Sequence, residues 1–364
     1  MNVERLKTIL EAIQKDLKST GVIAEIQNLR NHLQNTINQP QQPTHQQNLV
    51  KTKSSVSKKL NSSASNNFSP GWLQIIDEIG DSSLFGTELA EKIDSIFEKN
   101  QITPQAALTE IDEIVNSLTA FNSSLEQTVK GLNGLGIESD DLDAGECEIG
   151  YSIPRAFVNN KLTELESEIH ELNFILNNIS EVIHGEKVEY EVKTISSSDF
   201  LLYVSAGLSV TSFLGVALEK IITTYKTILE IKKLRKDLKD KGVPDKETKG
   251  IEKHANESMG KEIKKIVDEA IKEHYKEKNA ERKNELTNGL TISLNKLSNR
   301  IDKGFNVEIR VKELPEPEEE TELTEEQKVQ IESIQQIQSS SKALEFIKIS
   351  GEPILQLEEE NGKK

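Results

Sequence analysis

Residues Phe200 to Leu218 read FLLYVSAGLSVTSFLGVAL, nineteen positions without a charge in a chain whose residues are 29% charged. About twenty apolar residues suffice for a helix to cross a bilayer, so the reading of this run decides the architecture. Three readings compete. As a span, the run sets Gly207, Thr211 and Gly215 every four residues, the small-residue spacing that lets helices approach closely in lipid. The basic stretch 232–241, six bases against two acids, then marks the cytoplasmic side. That orientation demands export of the long polar N-terminal part without a signal sequence, and the opposite one puts the basic cluster outside. As a core helix, the run is covered on all sides by other helices, which is what all-round hydrophobicity requires in a water-soluble fold. As a concealed segment, it lies under helices at 104–132 and 155–184 until a trigger releases it.

The flanks are helical. Val158, Leu162, Leu165, Ile169, Leu172, Leu176, Ile179 and Ile183 recur at alternating gaps of four and three, the spacing of a narrow packing seam. A helix over about 155–184 is expected, stopped by Gly185 and packed against the helix at 104–132 or a partner chain. Pro104 after Thr103 suits a helix start, and Gly131, Gly134 and Gly136 suit its end. After the apolar run, Ile221, Ile222, Tyr225 and Ile228 continue a helix to 231. Charged helices follow over 246–283 and through Leu286–Ile301. Long heptad helices flanking one apolar stretch resemble the architecture of helical pore-forming proteins over roughly 104–231, a likeness without a motif. Ile149 to Lys241 also resembles parts of uncharacterised bacterial proteins, which implies no activity.

Farther out, Leu6, Leu10, Ile13 and Leu17 form a seam in the first helix, and Val22 to Ile37 repeat it. Two short helices of this kind are marginal alone, so pairing between copies of the chain is expected. Residues 38–70, with NQPQQPTHQQ and SSVSKKLNSSASNN, read as a disordered linker. Near the other end, FNVEIRV (305–311) alternates as a strand should. An acidic stretch with eight Glu in 313–326 leads to Thr324 and Gln327, a capping-box pattern. KALEFIKI and PILQLE read as a hairpin. KVEYEVKTI (187–195) reads as a short strand or extended linker.

Composition narrows the function. Apolar residues make up 35%, aromatics 4%, and the net charge is −16. The acidic excess opposes nucleic-acid backbones. Cys147 is the only cysteine, which excludes an intramolecular disulfide and a Cys-based zinc site. The N-terminus has no apolar signal region, and a cytoplasmic place, with membrane association under the spanning reading, is expected. His170-Glu171 opens a zinc-protease pattern, but Phe174 stands where the second histidine belongs. GLNGLG (131–136) has the wrong spacing for a dinucleotide loop. The acidic loop 138–148 lacks the glycine and glutamate positions of a calcium loop.

These readings together imply a mainly α fold of long heptad-patterned helices in an elongated body, with a small C-terminal β element. The expected division is an arm (1–37), a linker (38–70), a helical body (71–304) and a strand–helix–hairpin element (305–358). The expected function is that of a non-enzymatic, self-associating interaction or scaffold protein of bacterial type. No catalytic residue, cofactor or metal is expected; the partners would be further copies of the chain and another protein. The alternative is a membrane-acting effector using 200–231.

Overall fold

The computed structural model describes residues 2–196, 200–242, 244–314, 324–344, 346 and 352–360. Among them are eleven α-helices and one four-stranded antiparallel sheet, so the chain is mainly α. It divides into two compact units, Met1–Asp141 and Leu142–Lys364.

The N-terminal unit contains α1 (Val3–Thr20), α2 (Val22–Asn38), α3 (Pro43–Asn61), α4 (Pro70–Ile79), α5 (Gly86–Lys99) and α6 (Pro104–Gly134). Gly21 breaks α1 from α2 in the left-handed region, at φ 57°, and its N–H closes on Leu17 O. Leu10, Ile13 and Leu17 are buried in one core with Ile26, Leu29, Ile93, Ile111 and Leu118, and Leu6 packs partly buried against it. The seam expected to pair copies of the chain is therefore covered within a single chain. Residues 43–61, expected as linker, form α3, which places Val56 and Leu60 in that core. A helix with only two buried apolar side chains is ordered by what it packs against rather than by its own composition. The division expected at 70/71 moves to 141/142, because 43–134 share a core with α1 and α2. Pro104 takes the first turn of α6 as expected, but Thr103 does not cap it; its hydroxyl donates to Asn100 Oδ1 at 3.1 Å.

The C-terminal unit runs β1 (Cys147–Ile153), α7 (Leu162–His184), β2 (Val192–Ser196), β3 (Phe200–Ala206), α8 (Leu208–Asp240), α9 (Asp245–His274), α10 (Ala280–Asp302), β4 (Asn306–Val311) and α11 (Glu325–Ala343). The strand order is β2-β3-β1-β4. Ile149 pairs with Val204 on one side and Ile309 on the other, and Tyr151 pairs with Leu202 and Val307. These side chains join the buried faces of α7–α10 in one core.

The apolar run is thus neither one helix nor a span. Phe200 to Ala206 is an inner strand, Gly207 is the exposed junction, and Leu208 onward is helix. Leu202, Tyr203 and Val204 are all buried, and a strand covered on both faces loses the alternation that would distinguish it from a helix. Among the described residues no helix is long and apolar enough to cross a membrane. The small residues have other uses. Thr211 is buried and donates from Oγ1 to Gly207 O at 3.0 Å. A Cβ on Gly215 would stand 2.6 Å from Ile309 Cδ1 and 3.1 Å from Ser340 Cβ, so this glycine lets α8 lie against β4 and α11. Leu218 is fully buried.

β4 occupies the expected strand, but its partner is β1, and the β element belongs to the middle of the chain. Of the expected hairpin, 345 and 347–351 lie outside the described residues, and 353–359 form no strand. The capping box is present: Gln327 N donates to Thr324 Oγ1 and Thr324 N to Gln327 Oε1. Gly185 ends α7 in the left-handed region.

On α7 the seam is rotated. Leu172, Leu176 and Ile179 are buried and Leu165 packs partly buried, but Leu162 is 80% exposed and Ile169 41%. Ile175 and Val182 are buried instead. α7 packs on α8, α9 and α10 at once, so its covered arc is wider than a two-helix seam and centred on 172, 175 and 179. The buried face of α7 belongs to the core of the C-terminal unit, and the 104–132 helix, expected as its neighbour with a partner chain as the alternative, belongs to the core of the N-terminal unit. Leu172→Ala should cost about 2–5 kcal/mol, whereas Ile169→Ala should stay within about 0.5–1 kcal/mol; thermal unfolding of the two variants measures the difference.

Candidate functional site

Residue types that carry chemistry are mostly engaged in holding the fold. Cys147 is 1% exposed on β1, and burial pushes its thiol up to about 12, so it is protonated at neutral pH. In the acidic loop, Asp140 pairs with Arg5 at 2.9 Å, Ser139 donates to Glu11 at 2.6 Å, and Glu146 meets Lys193 at 2.9 Å. Among the described residues no group of three or more His, Cys, Asp or Glu is arranged to hold a metal ion.

A different constellation stands on α9 and α10. Asn295, Asn299 and Asp302 project from the last two turns of α10, and Asn256 from α9. All four bind the main chain of residues 352–360. Asp302 accepts from the N–H groups of Ile354 (2.5 Å) and Leu355 (2.7 Å). Asn256 donates to Ile354 O (3.0 Å) and accepts from Gln356 N (2.7 Å). Asn299 accepts from Leu357 N (3.1 Å) and donates to Leu357 O (3.0 Å). Asn295 donates to Glu358 O at 2.8 Å. A carboxamide carries a donor and an acceptor in one plane, so it can satisfy both polar groups of a peptide unit whatever the side chain. Ile354 and Leu355 are buried, and from Leu355 to Glu360 exposure alternates as in extended chain. One side-chain contact is charged: Glu359 accepts from Asn299 at 2.8 Å and stands 3.8 Å from Arg300 and 3.9 Å from Lys296.

The other anchors of this seat are buried. Asp302 is 0% exposed and also accepts from Tyr225 (2.6 Å) and Lys232 (2.9 Å). Arg300 grips Glu168 of α7 with two bonds, 2.7 and 3.2 Å, and Lys296 pairs with Glu171 at 2.7 Å. These pairs tie α10 to α7 along the seat.

Glu359 and Glu360 are the last described residues at this end of the seat. Those two residues, with His170, Phe174, Ile292 and Lys296, line a hollow of about 260 Å³. It shares His170, Phe174 and Ile292 with a larger cleft of about 580 Å³ between α7 and α10. The larger cleft presents four carboxamides, Asn173, Asn177 and Asn178 from α7 and Asn288 from α10. Asn177 Nδ2 donates to Asn173 at 3.1 Å, while Asn177 Oδ1 is shielded and accepts no bond. His170, weighed above as a ligand, is one wall of this cleft. Gly289 keeps the helices close there, since a Cβ would stand 2.3 Å from Asn178 Oδ1.

Sequence reasoning named none of the four seat residues. The one legible signal was asparagine recurring on α10 at 288, 295 and 299, steps of seven and four on one helix face. Comparison of the chain with protein-family models, with curated proteins and with solved structures gave no match.

Proposed function

We propose that this chain is a non-enzymatic interaction protein that receives a linear segment of a partner protein in the cleft between α7 and α10. The observation that supports this reading is the set of four carboxamides on the cleft walls, next to a seat where carboxamides already bind main chain. Asn177 and Asn178 donate within α7, and the exposed carboxamides Asn173 and Asn288, flanking one aromatic, Phe174, suit a polypeptide better than a compact metabolite with concentrated charge. Pairing of copies through Leu6, Leu10, Ile13 and Leu17 is not part of this proposal, since Leu10, Ile13 and Leu17 are buried in the N-terminal core and Leu6 packs against it.

Selection of a random peptide library on the full chain tests the proposal. Selected peptides should lose about tenfold or more in affinity for Asn173→Ala/Asn288→Ala, the two carboxamides exposed on the cleft walls, since two hydrogen bonds are each worth about 0.5–1.5 kcal/mol. The variant should keep the wild-type circular dichroism. No enrichment, or binding indifferent to both asparagines, would overturn the proposal.

A further inference from the structure

The seat on α9 and α10 is itself a binding site, and its present occupant suggests what it takes. We infer that a linear segment of a partner protein enters this seat in exchange for the chain's own residues 352–360. This inference rests on the proposal that the adjoining cleft binds polypeptide. The ligand class follows from the occupant: two adjacent aliphatic residues, as Ile354 and Leu355, a third two positions on, as Leu357, and a carboxylate two further, as Glu359.

Three observations carry the exchange. First, seven of the eight hydrogen bonds between the side chains of Asn256, Asn295, Asn299 and Asp302 and residues 352–360 go to main-chain atoms; only the bond to Glu359 meets a side chain. The seat therefore accepts any chain that fits the apolar positions and the carboxylate. Second, an empty seat is costly. Emptied, it would leave Asp302 without two of its four donors and expose the faces that cover Ile354 and Leu355, so departure of 352–360 is coupled to entry of another segment. Third, the described residues of the occupant reach only the near end of the groove. Glu359 and Glu360 only line the mouth of the smaller hollow, and the amides beyond bind nothing in 352–360. A partner that fills the seat and continues past His170 and Phe174 gains contacts the resident segment does not make. That surplus favours displacement at low concentration, whereas a ligand limited to the seat displaces the resident segment only in millimolar excess.

The test uses the full chain and a synthetic peptide of sequence PILQLEEE, matching 353–360. With ¹⁵N-labelled chain and unlabelled peptide in millimolar excess, hydrogen exchange should accelerate at the amides of Ile354, Leu355, Gln356 and Leu357, which the seat side chains protect. By fluorescence anisotropy, the same peptide should bind full-chain Ile354→Asp/Leu355→Asp at least tenfold more tightly than wild type. Adding Asn256→Ala and Asn299→Ala should abolish that gain, and a scrambled peptide should not show it. Unchanged exchange at all four amides in the unmodified chain would overturn the inference without requiring any variant to fold. Equal binding of the scrambled peptide would overturn the ligand class. Wild-type chain that doubles in mass with concentration and ignores the peptide would assign the seat to a second copy and overturn a partner. Library peptides that depend on Asn173 and Asn288, beside these negative results, would leave the cleft proposal standing and remove only the exchange.

Discussion

Asp302→Asn is expected to lower the stability of the C-terminal unit by about 3–5 kcal/mol, the cost of breaking a buried ion pair from one side. The carboxylate is completely buried and meets four donors: Tyr225, Lys232 and the N–H groups of Ile354 and Leu355. Burial first, and then the bond to this carboxylate, push the Tyr225 hydroxyl well above its ordinary value, so it remains a donor throughout the working pH range. Asparagine keeps the shape but removes the charge, and its amide nitrogen turns a donor toward donors. Lys232, itself only 6% exposed, is left as an uncompensated buried cation. For a unit of this size each kcal/mol moves the thermal midpoint by about 2–4 °C, so a fall on the order of 10 °C should appear by calorimetry. Combining Asp302→Asn with Lys232→Met should recover part of it, because the stranded charge is gone. A single variant that melts within a degree or two of wild type would show that the pair is not desolvated.

Deleting residues 2–37 is expected to unfold the N-terminal unit rather than trim an appendage. α1 and α2 bury Ile9, Leu10, Ile13, Leu17, Val22, Ile26, Leu29 and Leu33 in its core. At about 1.5–3 kcal/mol for each buried side chain, their removal is as large as or larger than the roughly 5–15 kcal/mol that keeps a domain folded. Polar ties go with them. Asp16 accepts from Ser63 Oγ and Ala64 N and so holds the turn after α3, and Arg30 bonds Asp112 of α6 at 2.7 Å. Circular dichroism should show helix lost from 43–134 as well as from the deleted residues. Full helicity and an unchanged melting curve in the remainder would make α1 and α2 dispensable to that core.

The contrast between these two expectations and a reading of the sequence alone has a common cause. Nothing within Val3–Thr20 distinguishes a seam that meets another copy from one that meets α6, because heptad spacing describes a face and not its partner. The four side chains of the seat lie 50 to 100 positions from the residues they bind, and no local pattern joins them. Asn256 in a charged helix and Asn295 beside Lys296 look like solvated positions until residues 352–360 lie over them.

Local chemistry was enough where a structure is closed by neighbours in the chain. The Thr324–Gln327 box starts α11, Gly185 stops α7 at φ 82°, and the alternation of FNVEIRV makes β4. CEIGYSI at 147–153 carries the same alternation and was hidden by the acidic loop before it. The mainly α class follows from such signals summed along the chain. Tertiary structure alone decided three matters: the division of 200–218 into strand and helix, the order of α3, and the rotation of the α7 face from Leu162 and Ile169 to Ile175 and Val182. In each, the deciding free energy comes from apolar surface buried against residues distant in sequence. An all-apolar strand and an all-apolar helix differ in which neighbours cover them, and that information is in the packing rather than in the run itself.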